Sequence, residues 1–344
     1  MIALRSGLFA AAFVVLLPTS AALSAEPALQ PDMAAALKAK YRRPAEIPFP
    51  ADNPYTPEKA ALGKSLFFDP RLSGSQNMTC ASCHNPSFGW EVPLKGAVGA
   101  MNTVLARNAP TVINQAWSSG HYFWDGRAPT LEEQAKGPIE TDVEMNLPLD
   151  EAVRRLKSIS DYDRWFNHVF PGQGITGDNI VSALATFERT VVSSYAPFDA
   201  WIDGDDAAIS KEAKRGFVLF NGKANCAVCH TGWNFTDGKF HDVGTDTIDI
   251  GRGKIDPGNP KAKYAFKTPS LRDISQRAPY MHNGSLADLD AVMAHFVAGG
   301  VNRPSVSPQM RKIDLSAQEV ADVIAFLKTL TGTSQIVSLP VLPN

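Results

Sequence analysis

A mainly helical fold built as two related units is what this sequence predicts, and three observations predict it. The pattern Cys-x-x-Cys-His occurs twice, at Cys80–His84 and Cys226–His230. A similar stretch precedes each copy: Glu58 to Phe67 (EKAALGKSLF) and Glu212 to Phe220 (EAKRGFVLF). Strand-type alternation is weak throughout, whereas apolar residues recur three to four positions apart.

The chain opens as an export signal. Arg5 supplies a positive start, Leu8 to Leu17 is apolar, and Ser20, Ala21, Ala22, Ser24 and Ala25 are small. Cleavage after Ala22 or after Ala25 leaves a small residue at the new end, and both stay open. The apolar run is too short for a membrane anchor and Pro18 interrupts its end. No later run is long enough, so a periplasmic protein without a membrane span is expected. About 320 residues follow residue 25, more than one typical core holds, which makes two domains the default. A formal net charge of −2 argues against nucleic acid as a partner.

The four cysteines all lie in the two motifs. One such motif alone could be a redox dithiol, a zinc site, a disulfide or a c-type haem attachment. Two copies in an exported chain with no spare cysteine favour haem. Cys80 and Cys83, then Cys226 and Cys229, would each add across the two vinyl groups of one porphyrin. His84 and His230 would be the proximal iron ligands, giving two covalently bound haem c. The repeated Gly-x-x-Leu-Phe endings (Gly63, Leu66, Phe67; Gly216, Leu219, Phe220) are read as one helix face packed on each haem edge. The fold class is therefore two cytochrome c-like haem domains, the first enlarged by an insertion.

Residues 26–195 form the first, amino-terminal haem domain on this reading, and 207–332 the second. The amino end through Pro54 is proline-rich and expected to lie extended over the surface. Asp178 is a candidate cap for a helix presenting Val181, Leu184, Phe187 and Val191. The junction is placed between Tyr195 and Asp206, around Pro197 and Gly204. Ser316 and Glu319 suggest a capping box for a closing helix with Val320, Val323, Ile324 and Leu327 on one face and Gly332 as its stop. Residues 333–344 are expected to be a surface tail.

Between and beyond the motifs, the segments Arg107-Asn-Ala-Pro-Thr111, Phe123-Trp-Asp-Gly-Arg127, Leu131-Glu-Glu-Gln-Ala135, Gly137-Pro-Ile139 and Val143-Glu-Met145 are distinctive, as is Pro279-Tyr-Met-His-Asn-Gly-Ser285. They resemble the bacterial di-haem cytochrome c peroxidases and their relative MauG over nearly the whole mature chain. The resemblance implies that the amino-terminal haem meets hydrogen peroxide and the carboxy-terminal haem transfers electrons. Glu144 and Gln134 would face the peroxide: a carboxylate can move a proton between the two oxygens, and an amide can hydrogen-bond the oxidant without titrating. Read without the resemblance, Glu144 is a solvated acid beside Glu140 and Asp142. Trp124 would relay electrons between the haems, although an aromatic among Trp117, Tyr122 and Phe123 also reads as packing. Asn108, Arg277 and Pro279 match the positions through which the family binds calcium, one by side chain and two by backbone carbonyl. A small cytochrome c or cupredoxin donor, or else a protein substrate, is the implied partner, and a homodimer the implied assembly.

Two departures matter. The family's peroxidases carry a histidine that blocks the peroxide-reacting iron eight residues before the asparagine matching Asn108; here that position is Ala100, as in MauG-like proteins. An iron open in its resting oxidised state is the expectation. Fourteen residues after His282, where methionine or tyrosine ligates the second haem in relatives, stands Phe296. Met281, Met293, His295 and Met310 are nearby, and the sixth ligand stays unassigned. MauG's tryptophan before the second motif is replaced by Ala224. His282 is read either as a haem-edge residue or as a turn histidine, and His121, His168 and His241 have no local context above packing or surface roles. Peroxide reduction, oxidation of a partner protein's side chain and non-catalytic electron carriage are the functions in play; the last needs two six-coordinate irons, which Ala100 and Phe296 oppose.

Overall fold

The computed structural model describes residue 1, residues 31–333 and residues 336–344, so the expected export signal and both cleavage sites lie outside the described residues. Helices dominate. In chain order they are α1 (Pro31–Ala39), α2 (Pro57–Phe67), α3 (Leu131–Glu140), α4 (Leu149–Lys157), α5 (Ser160–Val169), α6 (Gly177–Thr190), α7 (Pro197–Ile202), α8 (Lys211–Asn221), α9 (Leu289–Ala298) and α10 (Ala317–Lys328). One small antiparallel pair, β1 (Phe240–His241) with β2 (Phe266–Lys267), is the only sheet among the described residues.

The internal repeat is structural. In the first unit α2 crosses α6, and in the second α8 crosses α10. Each crossing is made at the glycine of the repeated pattern. A Cβ at Gly63 would overlap the Ala183 carbonyl oxygen, and one at Gly216 would overlap that of Asp322. These glycines therefore let two helix backbones meet, a role the sequence reading had given to the haem edge. Leu62, Leu66 and Phe67 are fully buried in the first core and do not line the central cavity described below; Phe220 does.

Caps fix the helix starts. Thr56 and Ser210 accept from Lys59 N–H and Ala213 N–H at the starts of α2 and α8. Thr176, not Asp178, caps α6, accepting from Asn179 N–H; Asp178 sits in the first turn, where its charge suits the helix dipole. Ser316 and Glu319 form the expected capping box of α10. That helix stops at Lys328, before Gly332, whose N–H donates to Asp273 Oδ1 at 3.1 Å.

Two further expectations change. The segment before Pro54 is not wholly superficial: Tyr41 is buried in the second core, stacked on Phe235 with ring centroids 4.9 Å apart. The proposed junction contains α7, whose Phe198, Trp201 and Ile202 belong to the second core. Local proline and acidic content marked a linker; burial of three large side chains overrode it. The tail returns to the first unit, where Arg71 donates to the Pro343 carbonyl at 2.9 Å.

Gly63→Ala and Gly216→Ala should each cost about 1–3 kcal/mol in chemical denaturation of the haem-loaded protein, because backbone must move to admit the methyl. Gly258, with open space around it, is the control. Equal effects at all three positions would contradict the crossing argument.

Candidate functional site

A continuous cavity of about 880 Å³ runs between the two units. It is lined by Cys80, Cys83 and His84 from the first and Cys226, Cys229 and His230 from the second. The thiols form no disulfide. Burial pushes Cys83 up to about 11 and Cys226 up to about 12, the opposite of a reactive dithiol. His84 Nδ1 faces the Trp90 carbonyl at 3.4 Å and His230 Nδ1 the Phe235 carbonyl at 2.9 Å. A carbonyl only accepts, so each Nδ1 carries the proton and Nε2 keeps its lone pair. Burial also brings His84 down to about 4 and lowers His230, which keeps both rings neutral. A mostly apolar cavity with paired thiols and two oriented, neutral imidazoles fits haem c twice.

On the first side, α3 carries Gln134 and the turn after it carries Glu144, and both line the cavity. Glu140 and Asp142 are exposed, so the neighbouring acids do not share Glu144's environment. Burial raises the Glu144 carboxyl, with Arg127 opposing. Arg127 lies over the Phe123 ring, 3.5 Å from its centroid, and pairs with Asp125. Ala100 N–H donates to the Glu144 carbonyl at 2.8 Å, so the loop carrying Ala100 closes directly on the backbone of Glu144.

Trp124 lines the cavity where the units meet. Its Nε1–H donates to the Asn108 carbonyl at 2.8 Å, and its own carbonyl accepts from Lys267 N–H at 2.8 Å. Lys267 Nζ donates to the His121 carbonyl at 2.6 Å, and burial brings this ammonium down to about 8. Asn108 is 3% exposed; its N–H donates to the His282 carbonyl and its Nδ2 to that of Leu94. Asn108, Arg277 and Pro279 all line the cavity. Arg277 sits 3.6 Å from Glu91, close enough for an ion pair and too far for a hydrogen bond. Burial pushes Glu91 up to about 7 against the pull of Arg277.

On the second side, Phe296, Met281, Met293 and Met310 line the cavity. His295 does not: its Nε2 is 2.8 Å from the Val243 carbonyl. His282 is stacked on Phe266, ring centroids 3.6 Å apart, as part of the junction. His121 packs on Phe240 and His168 is exposed. His241 was undervalued by sequence. It lines the cavity, and its Nε2 lies 2.8 Å from Asp237 Oδ2. The spacing of four residues was legible, but its approach to Cys229 depends on the fold. Among the described residues, Cys229, Asp237 and His241 are the group whose ligand atoms come within metal-binding reach. Cys229 belongs to the haem motif, so no separate metal site follows. Lys267, Glu91 and Glu188 were also missed, since a buried charge leaves no local pattern.

Fold and site together define a di-haem c-type cytochrome whose two haem units face one cavity. Comparison with known proteins agrees. The family described as di-haem cytochrome c peroxidase matches residues 57–207, and cytochrome c matches 213–331. The methylamine utilization protein MauG of Methylorubrum extorquens is 49% identical, covering 96% of this chain and 94% of that protein. The cytochrome c551 peroxidase of Nitrosomonas europaea is 36% identical, covering 86% of each. The crystal structure of a MauG-like protein associated with microbial copper homeostasis superposes with a TM-score of 0.78 at 33% identity, covering 85% of this chain and 95% of that one. The chain belongs to the di-haem cytochrome c peroxidase/MauG family and is an oxidoreductase carrying two haem c.

The Asp237 hydrogen bond raises His241 above its ordinary 6.5. A raised pKa in the folded state stabilises fully below the unfolded value, and that stabilisation is lost as pH rises through the raised one. The thermal midpoint of Asp237→Asn should therefore fall below wild type near neutrality and converge with it above that pH. A gap independent of pH would refute the pairing.

Proposed function

We propose that this protein is a periplasmic, peroxide-dependent oxidoreductase whose amino-terminal haem meets hydrogen peroxide without prior reduction. The observation that carries the reading is Ala100 itself: the resemblance matches it to the position of the blocking histidine, an alanine cannot ligate iron, and its N–H is bonded to the Glu144 carbonyl. Supporting it, the other histidines lining the cavity are accounted for. His230 is the second proximal ligand, His241 is held by Asp237, and His282 is stacked on Phe266.

Bound haem iron supplies the coordination position and the redox equivalents. The chain's residues supply the rest. Glu144 takes the proton from the inner peroxide oxygen and returns it to the outer one. Its raised carboxyl suits that exchange better than an ordinary surface acid would. Gln134 hydrogen-bonds the oxidant through a neutral amide. Trp124, fixed at both Nε1 and its carbonyl, carries electrons between the two sides. The overall reduction is peroxide plus two electrons and two protons to two waters, and a haem held by Cys226, Cys229 and His230 would supply the path for those electrons.

The electrons come from a partner protein's oxidisable side chain, in the manner of MauG; identity to a MauG of 49%, against 36% to a peroxidase, favours this source over a small cytochrome c or cupredoxin. A calcium ion at the junction belongs to the same reading. Asn108, Arg277 and Pro279 border the cavity, and the side-chain oxygen of the first and the backbone carbonyls of the other two are oxygen donors, which suit calcium.

Adding peroxide to the as-isolated diferric protein should change the haem spectrum promptly; no response until an electron is supplied would refute the open site. Glu144→Gln should slow that change by about a hundredfold or more, and unchanged kinetics would remove Glu144 from the chemistry. Turnover with reduced cytochrome c exceeding oxidation of a partner protein would reverse the choice of electron source. Chelation with EGTA should lower the thermal midpoint and added calcium restore it; an unmoved midpoint rules the ion out.

A further inference from the structure

One acid in the cavity wall is used by none of the chemistry above. Glu188 lies in the last turn of α6 and is 6% exposed. It lines the cavity, as does Leu184 one turn earlier. Its Oε2 is buried with no hydrogen-bond partner. The neighbouring Arg189 makes no hydrogen bond to it, being committed to Glu132 at 2.6 and 3.0 Å; its charge still favours the carboxylate, and that of Glu132 opposes it. The other ionisable groups facing Glu188 are Cys80, which becomes a thioether when haem is attached, and Tyr122, whose hydroxyl lies 3.4 Å from the Gln115 carbonyl. Among the described residues no cation hydrogen-bonds Glu188, and burial outweighs the pull of Arg189 on a carboxylate there.

A carboxyl so placed can accept or release a proton, and the cavity it lines holds an iron centre whose charge changes by one unit at each electron transfer. In a medium of low dielectric that change is felt strongly. We propose that Glu188 is the redox-linked proton site of the amino-terminal haem: it takes up a proton when that haem gains an electron and releases it when the electron leaves. The balance is ferric haem with ionised Glu188, plus one electron and one proton, giving ferrous haem with neutral Glu188. The electron is the one the established redox chemistry delivers, and the proton comes from solvent. Burial independently pushes the Glu188 carboxyl up to about 8, which puts its ionisation within reach of a modest change in field.

This inference rests on haem attachment at Cys80–His84 and not on the peroxide reading, so either can fail alone. The test is a spectroelectrochemical titration of both haems in the full-length, two-haem protein at pH values spanning neutrality. In wild type, the midpoint potential of one haem should fall with rising pH while the other changes less. Glu188→Gln should flatten that slope with haem content unchanged, Glu188→Asp should retain it, and Glu144→Gln should leave it in place. A slope undiminished in Glu188→Gln overturns the proposal, as does one abolished by Glu144→Gln instead. Redox-difference infrared spectra of the unaltered protein give a second reading if the glutamine variant does not load both haems. A carboxylic-acid C=O band that appears on reduction supports the assignment, and the lack of any such band overturns it.

Discussion

The hydrogen bonds around Trp124 are the contact on which the rest of the site depends. Its indole N–H reaches the Asn108 carbonyl, and its own carbonyl is held by Lys267 of the second unit. Asn108 in turn donates to the His282 carbonyl, also of the second unit. These bonds close only when both units are in register. These directional bonds hold the walls of the cavity of about 880 Å³ in position. Arg107 adds to them by joining Asp125 of the first unit to Asp249 of the second, at 2.7 and 2.6 Å.

The same junction sets the electrostatic character of the cavity. Its walls bury groups that would titrate at ordinary values in solution, and burial shifts them toward their neutral forms. Glu91 and Glu188 move up to about 7 and about 8, and Lys267 moves down to about 8. His84 and His230 are kept neutral and aimed by backbone carbonyls of Trp90 and Phe235. One physical cause, burial, therefore serves two ends. It keeps the imidazoles competent as ligands and leaves acids able to exchange protons near neutrality.

Much of this was legible in the sequence because it is written in local spacing. The two Cys-x-x-Cys-His motifs, the duplicated helices before them and the capping box at Ser316 and Glu319 each lie within a few residues, where covalent geometry fixes what can meet. Asp178 failed as a cap because Thr176, two residues earlier, offered its hydroxyl to the Asn179 N–H first. The linker around Pro197 failed because composition cannot register that Phe198 and Trp201 reach a core assembled from α8 and α10. Gly63 and Gly216 were noticed as a repeat, but their purpose emerged only where a second helix passed over each of them.

What the sequence by itself determined is the chemistry on offer: which thiols and imidazoles can hold haem, how often the unit repeats, and that neither the methyl of Ala100 nor the ring of Phe296 can ligate iron. What only the tertiary structure decided is who faces whom. It turned His295 toward the Val243 carbonyl, paired His241 with Asp237 beside the second motif, and left Glu188 without a partner in the cavity wall. The reason is physical. Residue identity and spacing fix donors and acceptors along the chain, whereas burial and orientation depend on segments more than a hundred residues apart being folded against one another.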